Sequence, residues 1–540
     1  MARLNFGSAR LVGVKPSHEP PHVEPSQEPT LAEPSRTMSY VSWWSNRVTK
    51  RKSNNRLHVS EARKTSFQCH RAVEAEEITD QADEFHLKTP SGSCVVHCVK
   101  PLGNLYFSHG YVNCRDAGLG SIGVLSDELV LVVLGFLDAR TLAVSSAVSK
   151  SFYVFTNQDS LWRNLVIDNP NDDIIFKSSW KCTYLSINSQ LHDLSSSTRL
   201  RIHNFYSDYL FQSWLCANLV LKHDWLERDN IVRKRGISVD DFVSNFEKPN
   251  KPVLLEGCIE NWHALQRWDR DYLVKACGNT CFSVGPLQMS MENYFRYSDQ
   301  AGEERPLYLF DPKFAEKVPA LGLDYEVPVY FRDDLFNLLS GKRPDYRWLI
   351  IGPAGSGSSF HIDPNSTSAW NGVVKGSKKW ILFPPDVVPP GVHPSSDGAE
   401  VASPVSITEW FMNFYEACKS WRRRPVECIC RAGEVVFVPN GWWHLVINLE
   451  ESIAITQNYV SRRNLLNVLK FLKRPNANDL VSGTREKAGL YDKFKAAIDA
   501  SYPGLINSLL QEEEERVQSR RTSFWDSIVD SHAGAFKFSF

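Results

Sequence analysis

Gly355-Ser-Gly-Ser-Ser-Phe-His361-Ile-Asp363-Pro364 and, far downstream, Gly433-Glu-Val-Val-Phe-Val-Pro439-Asn-Gly441-Trp-Trp-His444 decide how this chain is read. Side chains two apart in a strand share a face, so an extended His361-Ile-Asp363 points His361 and Asp363 one way and Ile362 the other. His444, on a remote strand, can complete a set of three ligands and clip the two strands through one ion. Two neutral imidazoles and one carboxylate make a facial triad with three open positions, the arrangement associated with non-haem Fe(II) oxygenases. Two open positions suit a bidentate 2-oxo acid and the third suits O2. A catalytic zinc site of two His and one carboxylate is chemically possible and predicts hydrolysis instead.

The surrounding residues favour the first reading. A 2-oxo diacid buried in a dry pocket needs its far carboxylate neutralised, because an unpaired buried charge is costly. Lys378, on the next predicted strand, supplies that positive charge; Lys379 follows it, and a merely solvated role is open to either. Thr456 and Asn458 share one strand face, with Ile453, Ile455 and Tyr459 on the other. Asn371 is a third polar candidate. Trp370, Trp380, Trp442 and Trp443 read as core rather than as a substrate cage. A His-X-Asp by itself occurs by chance, and a lone His is more often a surface residue than a ligand. The weight lies in the order of the whole pattern: Gly-rich approach, His-X-Asp-Pro, Lys, Pro-x-Gly-Trp-Trp-His and Thr-x-Asn.

Around this centre, Pro252–Leu255, Arg347–Ile351, Lys379–Phe383, Glu434–Val438 and Ser452–Thr456 read as strands separated by Gly, Pro and Asn turns. They predict an antiparallel sandwich or barrel with strands dominating to about residue 460. Residues from about Arg199 to Arg235 and from 461 to 540 read as helical. Upstream, order is expected from near Leu119. Ser126 is a helix cap with Asp127 and Glu128 in the first turn, and Leu129, Val130, Val133, Leu134 and Leu137 follow at helical spacing. A second helix starts near Asp138, and Ser160–Leu165 belongs to a third. The first 115 residues, with the Pro/Glu/Ser-rich stretch at 17–35, cannot bury enough apolar surface to offset ordering entropy and are expected to be disordered. They contain the basic run Arg47–Lys52, readable as a nuclear import signal or a solvated cluster. They also contain Cys69, His70, Cys94, His97 and Cys98, which are zinc-ligand types at no finger spacing.

The chain has 540 residues, so roughly two to four domains are expected. Its 61 Lys and Arg against 62 Asp and Glu give no whole-chain reason to expect nucleic-acid binding. No apolar run approaches the roughly 20 residues needed to cross a bilayer, and the N-terminus lacks a secretory h-region. The 12 cysteines, without a framework spacing, read as reduced thiols.

Residues 119–166 resemble an F-box, with Leu125-Ser126 where such domains usually open Leu-Pro; a small amphipathic bundle packed on its neighbour is the plainer alternative. From about Ser238 to Arg474 the chain resembles the Jumonji-C oxygenases, and within them the arginine demethylase and lysyl hydroxylase subgroup. The resemblance is carried by Ser238–Phe242, Pro306–Asp311, Tyr325–Pro328, Asp333–Phe336, Tyr346–Trp348, His361–Pro364, Thr367–Asn371, Val438–His444 and Ala454–Asn458. An F-box before such a domain is similar to plant arginine-specific demethylases. The resemblance implies a mainly β fold: a double-stranded β-helix of the jelly-roll, cupin-like kind at 237–475. A helical F-box-like domain at 119–166, a helical linker at 167–236 and helices at 476–540 flank it. It implies Fe(II) on His361, Asp363 and His444, and 2-oxoglutarate contacts from Asn371, Lys378 and Thr456. Ser358 stands where the family has Thr, and Tyr308 and Asn458 match further pocket positions. Nothing is carried onto the insertion Arg422–Arg424. The implied activity is 2-oxoglutarate- and O2-dependent hydroxylation of a histone or other nuclear protein. On a methyl-arginine N-methyl group the product loses formaldehyde; on a lysine carbon the alcohol stays. The alternatives are a lysyl hydroxylase of nuclear proteins, an F-box substrate adaptor docking a Skp-type subunit of a ubiquitin ligase, and a cupin-like fold with a dead site.

Overall fold

The computed structural model describes residues 112–169, 173–188, 202, 204–421 and 423–532, with side chains to residue 519. The expected N-terminal disorder up to residue 111, the Arg47–Lys52 run and the Cys/His cluster at 69–98 lie outside the described residues, as does the start of the helical stretch read from Arg199.

The strands, in chain order, are β1 Arg233–Arg235, β2 Val253–Glu256, β3 Cys281–Val284, β4 Leu287–Ser290, β5 Leu309–Asp311, β6 Arg347–Gly352, β7 Gly357–His361, β8 Ser368–Lys375 and β9 Ser377–Phe383. They continue with β10 His393–Pro394, β11 Val401–Ala402, β12 Val426–Arg431, β13 Glu434–Val438, β14 Trp443–Asn448 and β15 Ser452–Tyr459. Two sheets face each other across the site. One runs β1-β2-β13-β8-β15-β6-β5-β3-β4, the other β12-β9-β14-β7. The chain crosses between sheets from β6 to β7, β7 to β8, β8 to β9, β12 to β13, β13 to β14 and β14 to β15. That winding is the double-stranded β-helix of a cupin-like domain. All its pairings are antiparallel; β1 alone pairs in parallel, with β2.

Two glycines make the winding possible. Gly376 turns β8 into β9 with φ +75. Gly357 lets β7 approach β14 so closely that a Cβ there would lie 2.0 Å from the Val446 carbonyl oxygen. The sheet faces alternate as expected: Ile453, Ile455 and Tyr459 are buried in the core on one side of β15.

The expectation that strands dominate to residue 460 needs correction between β2 and β6. Helices Ala264–Arg267, Arg270–Cys277, Met291–Ser298, Phe314–Lys317 and Pro319–Leu323 occupy much of that segment. They are short, two of them are capped by the side chains of Asp269 and Ser290, and their apolar residues pack into the core of the large sheet, so no long helical period marks them. The segment expected to be a helical linker also carries β1.

The F-box-like region forms four helices rather than three: Asp127–Leu134, Ala139–Ser145, Lys150–Thr156 and Asp159–Asp168. Ser126 and Asp138 cap the first two as expected. Order begins earlier than Leu119, with helix Cys114–Leu119. Its anchors are long-range and invisible to local pattern: Ser151 Oγ donates to the Cys114 carbonyl at 3.0 Å, and Asn113 exchanges hydrogen bonds with the Tyr206 backbone. One apolar core runs from Val130 and Phe155 through Phe176, Trp180 and Tyr297 to Trp370 and Phe437 of the large sheet. The helical region is therefore packed onto the β-helix. The C-terminal helices behave as read, with Leu465, Leu469 and Leu472 buried against Phe494 and Ile498. The nine cysteines among the described residues form no disulfide. No single helix among the described residues is long and apolar enough to cross a membrane.

Candidate functional site

His361 ends β7 and His444 lies on β14, directly opposite it in register. Their ring centroids are 4.1 Å apart. Asp363 lies just past the strand, where Pro364 keeps it extended at φ −57, ψ 143, so its side chain returns to the face of His361. Ile362 points outward and is exposed. Beyond it the chain reverses sharply through Asn365 and Ser366, both at positive φ. Asn365 pays for this turn with two hydrogen bonds to the Ser482 backbone.

One donor atom each from His361, Asp363 and His444 lies within 4.8 Å of the others, a separation one ion can bridge. Nδ1 of His361 is 2.8 Å from the Ser359 carbonyl and Nδ1 of His444 is 3.1 Å from that of Trp442. Those acceptors fix the tautomer in which Nε2 carries the lone pair, the state a metal requires. Burial pushes His444 down to about 4, so its imidazole is neutral at ordinary pH. Burial pushes Asp363 up to about 6 against the opposing effects of His361 and an Asn458 hydrogen bond. Its Oδ2 is buried without a hydrogen-bond partner. A carboxylate with one oxygen buried and unpartnered, facing two imidazoles whose Nδ1 atoms are already engaged, fits a divalent cation.

The triad lies in a cleft, open to solvent at its mouth, that also gathers Tyr308, Ser358, Asn371, Lys378, Thr456 and Asn458. Every residue expected at the site therefore lines one cavity. Lys378, on β9, is 3 % exposed. Its ammonium donates to Asn448 Oδ1 at 2.8 Å and has no carboxylate partner among the described residues. Burial pulls it down to about 8. An uncompensated buried cation fits the distal carboxylate of a 2-oxo diacid. Across the sheet, Asn371 and Thr456 are register partners on β8 and β15. Asn371 Oδ1 has no partner, and Thr456 Oγ1 donates to the Trp370 carbonyl at 2.9 Å. Tyr308 OH and Ser358 Oγ are 3.3 Å apart.

Lys379 is not the solvated residue that its sequence position left open. It points to the opposite face, wholly buried, paired with Glu427 at 3.0 Å, so neither lysine is solvated. Asn448 was missed by the sequence reading. It follows His444 by two strand repeats on the same face, which is the signal that could have found it. Its Nδ2 donates to Ser356 Oγ at 2.9 Å, which orients its carbonyl toward Lys378. Trp442 and Trp443 are core, but Trp370 and Trp380, also buried, line the cleft, the Trp380 ring 6.0 Å from that of His444.

A double-stranded β-helix with two imidazoles and a carboxylate at one end of its cavity is the architecture of an Fe(II)- and 2-oxoglutarate-dependent oxygenase. A cupin-like domain model matches residues 282–464 and an F-box-like model residues 127–168. The chain belongs to the Jumonji-C oxygenases. It is 64% identical to the arginine-specific demethylase JMJ22 of Arabidopsis thaliana over 448 residues, 82% of this chain and 89% of that protein. It is 40% identical to the bifunctional arginine demethylase and lysyl-hydroxylase psr-1 of Caenorhabditis elegans over 257 residues, 44% of this chain and 63% of that one. It is 31% identical to the 2-oxoglutarate and iron-dependent oxygenase JMJD4 of Homo sapiens over 268 residues, 44% of this chain and 63% of that one.

Proposed function

We propose that this oxygenase removes methyl groups from arginine side chains of histones in the nucleus, with His361, Asp363 and His444 holding Fe(II) and Lys378 holding the distal carboxylate of 2-oxoglutarate. The observation that carries the residue assignment is the convergence of two imidazoles, a carboxylate with an unpartnered oxygen, and a buried ammonium on one cleft. The substrate is drawn from the similarity to the arginine-specific demethylase over most of both chains. The nuclear setting follows from that substrate and from the basic run Arg47–Lys52.

When bound, iron and 2-oxoglutarate supply the oxidising power of O2 for hydroxylation, with succinate and CO2 as by-products. The chain's own residues bind and orient. Ser359 and Trp442 carbonyls hold the two imidazoles in the ligating tautomer. Asn448 steers the Lys378 ammonium, and Asn371, Thr456, Ser358, Tyr308 and Asn458 offer polar contacts along the cleft. Phe310, Trp348 and Trp380 line its walls, limiting water around the reacting groups.

The test is incubation of the full chain with Fe(II), ascorbate, 2-oxoglutarate and methylated histone-tail peptides. Formaldehyde, succinate and peptide mass are read together, with His361→Ala as control. Loss of a methyl group with matching formaldehyde supports demethylation. Gain of one oxygen on lysine without formaldehyde moves the activity to lysyl hydroxylation, and no succinate with any peptide overturns the catalytic reading.

A second role rests on a separate observation. Val144 of the second F-box-like helix and Phe136 and Val148 in the turns after the first two are 64%, 78% and 66% exposed, apolar side chains fit to dock a Skp-type adaptor. Phe136→Glu with Val144→Glu should abolish adaptor co-purification and leave succinate production intact. Undiminished co-purification overturns the docking role.

A further inference from the structure

Glu303 lies on residues 301–308, a stretch without helix or strand that leads into Tyr308. Its carboxylate accepts three hydrogen bonds, two of them from remote parts of the chain. Oε2 accepts from Arg163 Nη1 at 2.7 Å; Oε1 accepts from Trp180 Nε1 at 2.8 Å and from the Tyr297 hydroxyl at 3.0 Å. Arg163 belongs to the last F-box-like helix, and Trp180 opens helix Trp180–Asn188. Tyr297 is fully buried against Phe176 and Trp180. Its oxygen accepts in turn from the Leu307 backbone N–H at 2.8 Å. The next residue is Tyr308, whose hydroxyl meets Ser358 in the cleft. Leu309, on the other side, is fixed in β5 by pairing with Ile351. Tyr308 is thus suspended between a sheet and one buried hydroxyl, and that hydroxyl is oriented by a charge-assisted bond to Glu303.

We propose that Glu303 is a positioning residue for the co-substrate pocket: gripped by Arg163 and Trp180, it orients the Tyr297 hydroxyl, which pins the Leu307 amide and so aims Tyr308 at Ser358. The inference rests on the reading that Tyr308 contacts 2-oxoglutarate. It makes the F-box-like region part of what shapes the oxygenase site, in addition to any docking it performs.

Full-length Tyr297→Phe, Glu303→Gln, Tyr308→Phe and the Tyr297→Phe/Tyr308→Phe pair test this. Tyr297→Phe deletes one oxygen and keeps the ring in its core; Glu303→Gln is the independent arm should that variant fold poorly. Two readouts need no turnover: calorimetric affinity for 2-oxoglutarate with Mn(II) in place of iron, and amide hydrogen exchange across residues 303–309 in the metal-free protein. Tyr297→Phe and Glu303→Gln should each weaken 2-oxoglutarate binding about fivefold, the loss expected of one hydrogen bond. They should also speed exchange at Leu307 and leave Mn(II) affinity unchanged. The double variant should bind no more weakly than Tyr308→Phe, because both changes act through one group. If Tyr308→Phe weakens binding while Tyr297→Phe and Glu303→Gln do not, the relay is wrong and the pocket reading stands. Additive losses in the double variant also overturn the relay. If Tyr308→Phe binds like wild type, the pocket reading of Tyr308 fails and takes the proposal with it.

Discussion

Replacing Lys378 by methionine should make the protein more stable and nearly unable to bind its co-substrate. Among the described residues the buried ammonium has only Asn448 Oδ1 as a hydrogen-bond partner, and burial lowers it from 10.5 to about 8. At about 1.4 kcal/mol per pKa unit, keeping it charged in the native state at neutral pH costs about 3 kcal/mol. Methionine has similar length and no charge. It leaves Asn448 Oδ1 without a donor, which returns about 1–2 kcal/mol of that gain. The expected net is a stabilisation of roughly 1–2 kcal/mol in the absence of ligand. With 2-oxoglutarate the sign reverses: a buried carboxylate without its counter-charge loses about 3 kcal/mol or more, at least about a hundredfold in affinity. Denaturant unfolding of the metal-free protein and calorimetric titration of 2-oxoglutarate into Mn(II)-loaded protein read the two effects separately. A variant that unfolds earlier than wild type, or that binds 2-oxoglutarate as tightly, would show that Lys378 is not an uncompensated cation awaiting an anion.

Co-substrate affinity should also depend on pH. Lys378 has a folded-state pKa depressed below its unfolded value, so its destabilisation is fully present below about 8 and is relieved as pH rises toward 10.5. Binding, which needs the ammonium, should weaken about tenfold per pH unit above about 8; a flat calorimetric profile contradicts this. Asn448→Leu removes the ammonium's acceptor and should move the midpoint of that profile down by about one unit; an unmoved midpoint would mean that Asn448 does not hold the charge. Gly357→Ala forces a Cβ against the Val446 carbonyl, so β7 must shift from β14. It should cost about 3 kcal/mol and separate His361 from His444, seen as an earlier melt together with weaker metal binding. A melt unchanged from wild type would refute the close approach.

The site was far more legible than its supports. His361 and Asp363 stand two apart at the end of a strand approached through Gly and closed by Pro, His444 lies near the start of another strand, and Thr456 and Asn458 share a strand face, so strand alternation alone brings them to one cleft. Lys378 could not be told from Lys379 by pattern alone; which one enters the cleft is settled by the pairing of β9 with β12 and β14, a non-local fact. Asn448 was readable from strand alternation and was overlooked because a lone Asn carries no motif. The helices between β2 and β6 were hidden because short segments held by tertiary packing show little period of their own. Helix Cys114–Leu119 and the Glu303 contacts depend on partners far away in the chain, which no window of sequence displays.

Anaerobic equilibrium binding of Fe(II) to the metal-free full chain bears most directly on the triad. One ion per chain is expected for wild type, lost in His444→Ala and in Asp363→Ala while both variants keep wild-type circular dichroism. Undiminished stoichiometric binding by either folded variant would put the iron somewhere else.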